Sequence, residues 1–152
     1  MIERLMIMGY RSDVRIITSK KGFDKLKSYV TDTIAKSKNP QMYNLMENLD
    51  LNFENSYSKF FGWNNVKWYY EDVDIVMQGL HKLKDEDMSY RFARLGENFD
   101  DYEEEYYESE KEEEQDFEYP AVERYFDDDY VMDNMKTYDI SNKDNNDLDM
   151  SS

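Results

Sequence analysis

The spacing of apolar residues changes along the chain, and each change marks an element. In "DVRIITS" the β-branched residues cluster as they do in strands, so 14–18 is expected to be a strand, with "RLMIMGY" able to pair with it across the 9–13 region. Phe23, Leu26, Val30 and Ile34 then fall at i, i+3, i+7 and i+11, one face of a helix that Ser19 can cap. Asn39-Pro40 breaks this helix and can begin a second, short one with Met42, Leu45, Met46 and Leu49 on its buried side. In "YSKFFGWNNVKWYYED" the pair Asn64-Asn65 separates two strand-like runs, which predicts a β-hairpin, with a bulge at Gly62 as the alternative. Val73, Val76, Met77, Leu80 and Leu83 form another helical stripe, and "MSYRFARLGE" reads as a last strand.

The order β-α-(α)-β-β-α-β predicts an α+β fold: an antiparallel sheet covered by two main helices, with a ferredoxin-like β-α-β-β-α-β arrangement as the first choice. It occupies 1–96. From 97 to 136 the chain becomes acidic and aromatic, and is expected to pack on this body or extend from it; 137–152 is polar and reads as disordered. Disordered acidic tracts are poor in rings, whereas 97–136 holds Phe99, Tyr102, Tyr106, Tyr107, Phe117, Tyr119, Tyr125, Phe126 and Tyr130, so some of these should dock on the body. Phe99, Tyr102 and Tyr106 fit a helix, and Pro120 enforces a break before "AVERYF".

Charge sharpens this division. The net charge is −16, yet residues 1–95 carry 15 basic and 13 acidic groups, while 96–152 carry 4 and 22. An acidic block of this kind repels nucleic acid and acidic membranes and attracts basic surfaces, less so as salt rises. The absence of cysteine excludes disulfides and thiolate chemistry and fits a reducing cytoplasm, the expected location; no apolar run is long enough to cross a bilayer, and "MIERLMIMGYRSD" does not read as a signal peptide.

Little in the chain suggests catalysis. Solvated neighbours such as Glu103, Glu104 and Glu105 do not offer the paired, differently perturbed carboxylates that a glycosidase or protease needs. "DDDYVMDN" and "DNNDLDMSS" are rich in oxygen ligands but do not match a calcium loop, and no phosphate-binding glycine motif occurs. No cofactor and no designed metal site are expected. His81, the only histidine, has no obvious catalytic partner and reads as a partly exposed helix residue. The aromatics of "KFFGWNNVKWYY" faintly resemble a base-stacking strand of RNA-recognition domains without its motif order, and read more simply as core, with Val66, Trp68 and Tyr70 on one side. The lysines of the first helix, Lys20, Lys21, Lys25 and Lys27 among them, could face the chain's own acidic segment.

What remains is the acidic block. Residues 97–133 hold 18 acidic and 2 basic groups in 37 positions. In a helix that places one charge per roughly 3 Å, close to the ~3.4 Å phosphate spacing of a DNA strand; an extended chain gives one per about 6 to 7 Å. The stretch 97–133, together with "YRFARLGENFDDYEEEYY", resembles the small acidic inhibitors that phages and mobile elements direct against host defences, anti-restriction and anti-CRISPR proteins of the DNA-mimic type. The resemblance implies a non-enzymatic, stoichiometric inhibitor occupying the basic groove of a host nuclease, CRISPR effector or other DNA-binding protein. Phosphate-like charge would come from Glu103, Glu104, Glu105, Glu108, Glu110, Glu112, Glu113, Glu114, Asp116, Glu118, Asp127, Asp128 and Asp129, anchored by Tyr106, Tyr107, Phe117 and Tyr119. The rival expectation is a structural or assembly module whose acidic segment confers solubility or docks on its own basic helix.

Overall fold

A computed structural model describes residues 9–111 and 126–141, with side chains in the last helix to residue 136. The chain runs through β1 (Ser12–Ser19), α1 (Lys20–Ala35), a 3-10 turn (Leu45–Glu47), β2 (Leu51–Glu54), β3 (Ser58–Val66), α2 (Glu71–Asp85), β4 (Tyr90–Gly96), β5 (Tyr102–Tyr107) and α3 (Asp128–Ser141). The strands form one antiparallel sheet in the order β2-β3-β1-β4-β5. Its first four strands with α1 and α2 connect as a ferredoxin-like arrangement does, and β5 adds a fifth strand at the edge. Among the described residues no helix is long and apolar enough to cross a membrane.

Alternation along the strands sends side chains to two different cores. Val14 and Ile16 of β1, Phe61 and Trp63 of β3 and Phe92 of β4 pack under the apolar stripes of α1 and α2. Ser19 caps α1 as expected, accepting from the Gly22 N–H at 3.0 Å. The other sheet face is not left to solvent. There Ile17 and Phe60 meet Val131 and Met135 of α3, and Ala93 and Leu95 meet Phe126. The close approach of β1 and β3 depends on Gly62, where a β-carbon would run into the Val14 carbonyl.

Several sequence expectations change. The predicted hairpin turn at Asn64-Asn65 is absent, because β3 runs on to Val66 and the chain reverses at 55–58. Asn55 makes that reversal: its Oδ1 accepts from the backbone N–H groups of Tyr57 and Ser58, so one side chain stands in for a turn's hydrogen bonds. The asparagine pair marks instead an irregularity in the β1–β3 register, with Asn65 in the left-handed region at φ 52°. The second short helix shrinks to the 3-10 turn, which buries Leu45 and Met46 and leaves Met42 and Leu49 half-buried. Trp68 is core as predicted, but Tyr70 is exposed.

β4 is not the last strand. The segment expected to be helical around Tyr102 and Tyr106 is β5, paired with β4 from Leu95↔Tyr102 to Tyr90↔Tyr107. Helix α3 carries the chain to Ser141, into the tail expected to be disordered, and 142–152 lie outside the described residues. So do 1–8, with the proposed pairing of "RLMIMGY", and the break at Pro120.

Candidate functional site

Glutamate is a poor strand former, and "YEEEYY" would not make a strand in isolation. Its cross-strand partners explain why it does here. Glu103 lies opposite Arg94 and accepts from its Nε at 2.5 Å; Tyr106 lies opposite Arg91, whose guanidinium sits 5.0 Å from the ring centroid. On the helix-facing side, Glu105 accepts from the Tyr90 hydroxyl at 2.7 Å and lies 2.8 Å from His81 Nε2. Burial, and then the bond to Glu105, push the Tyr90 hydroxyl far above its ordinary value. Tyr107 donates to Asp87 at 2.6 Å, a bond that holds the Asp87 carboxyl below the usual aspartate range.

The same fastening recurs across the segment. Arg94 is almost wholly buried, and donates through Nη2 to Asp101 at 2.6 Å as well as to Glu103. Burial alone would lower this guanidinium, but the two carboxylates more than offset that and raise it. Asp101 also accepts from the Tyr10 hydroxyl at 2.5 Å. Arg91 donates to Glu108 at 2.8 Å. Arg15, likewise buried, makes a two-pronged contact with Asp128 at 2.8 and 2.9 Å and lies 5.0 Å from the centre of the Phe126 ring. The three buried arginines among the described residues of the body thus each take a carboxylate from the segment after residue 96.

The predicted acidic set therefore divides. Glu103, Glu105, Glu108 and Asp128 are spent on the body, and Asp127 caps α3 by accepting from the Tyr130 N–H at 3.0 Å. Glu104, Glu110 and Asp129 are exposed and form no ion pair among the described residues. Glu112, Glu113, Glu114, Asp116, Phe117, Glu118 and Tyr119 lie outside the described residues. Of the α1 lysines that the rival expectation invoked, Lys20 pairs with Glu54 and Lys25 with Glu86, both within the body.

What β5 offers outward is a short row on one face, Tyr102, Glu104 and Tyr106, with both tyrosines more than half exposed and Phe99 exposed at 79% in the preceding turn. Same-face residues on a strand are about 7 Å apart, twice the phosphate spacing of a DNA strand. The row is an acid-aromatic patch rather than a ladder of charges. Sequence reasoning missed the arginines that fix it, although "DVRIITS" and "YRFARLG" each place arginine in an otherwise apolar strand, where a buried charge demands a partner. Among the described residues no group of three or more histidines and carboxylates converges to hold a metal ion. No family model, curated protein or solved structure matches the chain.

Proposed function

We propose that the protein is a non-enzymatic, stoichiometric binder of a basic protein surface, and that the surface it occludes is the nucleic-acid-binding groove of a DNA-binding protein or nuclease. The observation that carries this reading is the outward row Tyr102, Glu104 and Tyr106, held on a strand whose inward carboxylates are already fastened to the body. Exposed tyrosines flanking a carboxylate suit a contact with arginine and lysine, and a strand fixed in a sheet loses little freedom on binding. Glu110 and Asp129 are exposed as well, and the sequence adds the acidic run 112–118.

A second reading is favoured by the pairing of Arg15, Arg91 and Arg94 with the acidic segment: those carboxylates complete the fold and need no partner. The two separate in one experiment. Full-length protein immobilised and exposed to a bacterial lysate should retain DNA-binding proteins, release them in a salt gradient, and displace DNA from them at one-to-one stoichiometry. The triple variant Glu104→Gln, Glu110→Gln, Asp129→Asn should melt like the parent and lose at least tenfold in displacement. Failure of the parent to retain or displace anything leaves the structural reading, and undiminished displacement by that variant and by a further variant neutralised across 112–118 rejects the surface proposed here.

A further inference from the structure

At the end of the sheet where β1 begins and β3 ends, a cleft of about 310 Å³ opens between the 3-10 turn, the irregular end of β3 and the start of α2. This volume is at the small end of ligand sites, enough for one ring system and its substituents. Its floor is Trp63, buried and donating to the Leu45 carbonyl at 2.9 Å; its sides include Tyr43 and Tyr70, both about half exposed. Three asparagines, Asn48, Asn64 and Asn65, also line it.

The backbone here is held in a conformation that costs energy. Asn65 sits at φ 52°, fixed from both sides: its carbonyl accepts from Arg11 Nη1 and its N–H donates to Asp13, each at 2.9 Å. The register of β1 against β3 shifts at the same point. Strand irregularities and left-handed residues gather where a side chain must be re-aimed toward a site.

The cleft lining carries two cations, Arg11 and Lys67, and two carboxylates, Asp50 and Asp72. The lining carboxylates accept from backbone donors and keep their charge, Asp50 from the Asn64 N–H at 2.8 Å and Asp72 from the Val73 N–H at 2.9 Å. Lys67 is half-buried and makes no ion pair among the described residues, and Arg11 spends one of its N–H groups on Asn65. Aromatic faces, amide edges and the two cations Lys67 and Arg11 in a space of this size match a planar base carrying an anionic group.

We propose that this cleft binds a mononucleotide, with the base against the tyrosine rings and the phosphate on Lys67 and Arg11. A polymer is disfavoured by the net charge of −16, whereas one nucleotide asks only for local cations. The site is independent of the β5 patch and of the function proposed for it.

Trp63 and Trp68 are the only tryptophans, and Trp63 lines the cleft, so tryptophan fluorescence of the full chain reports occupancy directly. Titration with each of the four ribonucleoside 5′-monophosphates should give saturable quenching for at least one, at concentrations on the order of 10 μM to 1 mM. Lys67→Gln and Tyr43→Ala should each weaken that binding at least tenfold, and the matching nucleoside and inorganic phosphate should each bind at least tenfold more weakly than the nucleotide. Lys27→Gln, on α1 away from the cleft, should change nothing. Absence of saturation below about 10 mM, equal binding of nucleoside and nucleotide, or binding indifferent to both variants overturns the proposal.

Discussion

At the scale of single residues, Arg94 shows how a charge can be buried safely in a sheet of this size. Its side chain is 1% exposed, while its partners Asp101 and Glu103 are 23% and 52% exposed. Removing the arginine lets both carboxylates rehydrate, so Arg94→Met should cost about 2–3 kcal/mol, below the ~3–5 kcal/mol typical of breaking a fully buried pair. Glu103→Gln, at the exposed end, should cost less than about 1 kcal/mol in the same urea titration. Asp72 poses the opposite problem. Burial, reinforced by Asp74 and only partly relieved by backbone N–H donors, raises its carboxyl above the ordinary aspartate value. A raised carboxyl binds its proton more tightly in the folded chain, so its contribution to stability is lost as pH rises from the ordinary value through the folded one. Asp72→Asn should therefore melt higher than the parent at pH 7 and equal to it near pH 3; a higher melting point at both values would point to a cause other than this carboxyl.

At the scale of elements, β5 decides how the acidic segment is to be probed. A fragment ending at residue 96 removes the edge strand, α3 and the partners of Arg15, Arg91 and Arg94 together. It should lose its cooperative urea transition while keeping part of its helical circular dichroism; a fragment unfolding at the full chain's midpoint would show that the segment contributes nothing to the fold. Deletion is accordingly a poor test of binding, and point substitution a good one. How legible each element was follows from where its information lies. α1, α2 and β4 were readable because their apolar periodicity and the Ser19 cap are local. β5 was not, because Tyr102 and Tyr106 share a face in a helix and in a strand alike, and the deciding contacts, with Arg91 and Arg94, come from across the sheet. Asn64-Asn65 misled for a related reason: asparagine's tolerance of the left-handed region serves a strand irregularity as well as a turn. Of the predicted site, the exposed row on β5 could be read as acidic and aromatic, but the division between spent and available carboxylates could not, since it depends on which face of the strand each one takes.

At the scale of the whole molecule, the charge polarity sets two salt responses of opposite sign. Residues 96–152 carry 22 acidic and 4 basic groups, so most of their carboxylates have no cation to meet within the segment and repel one another. The pairs that hold the segment down are different: the arginine ends at Arg15, Arg91 and Arg94 are 5%, 8% and 1% exposed, and buried ends are screened least. Raising salt from about 20 to 500 mM shortens the Debye length from roughly 20 Å to about 4 Å, which quenches the long-range repulsion and leaves the short buried contacts largely intact. The melting temperature should therefore rise over this range, while capture of a basic partner through Tyr102, Glu104 and Tyr106 falls. A melting temperature that drops in step with binding would mean that exposed ion pairs, rather than the arginine contacts beneath them, hold the acidic half to the body.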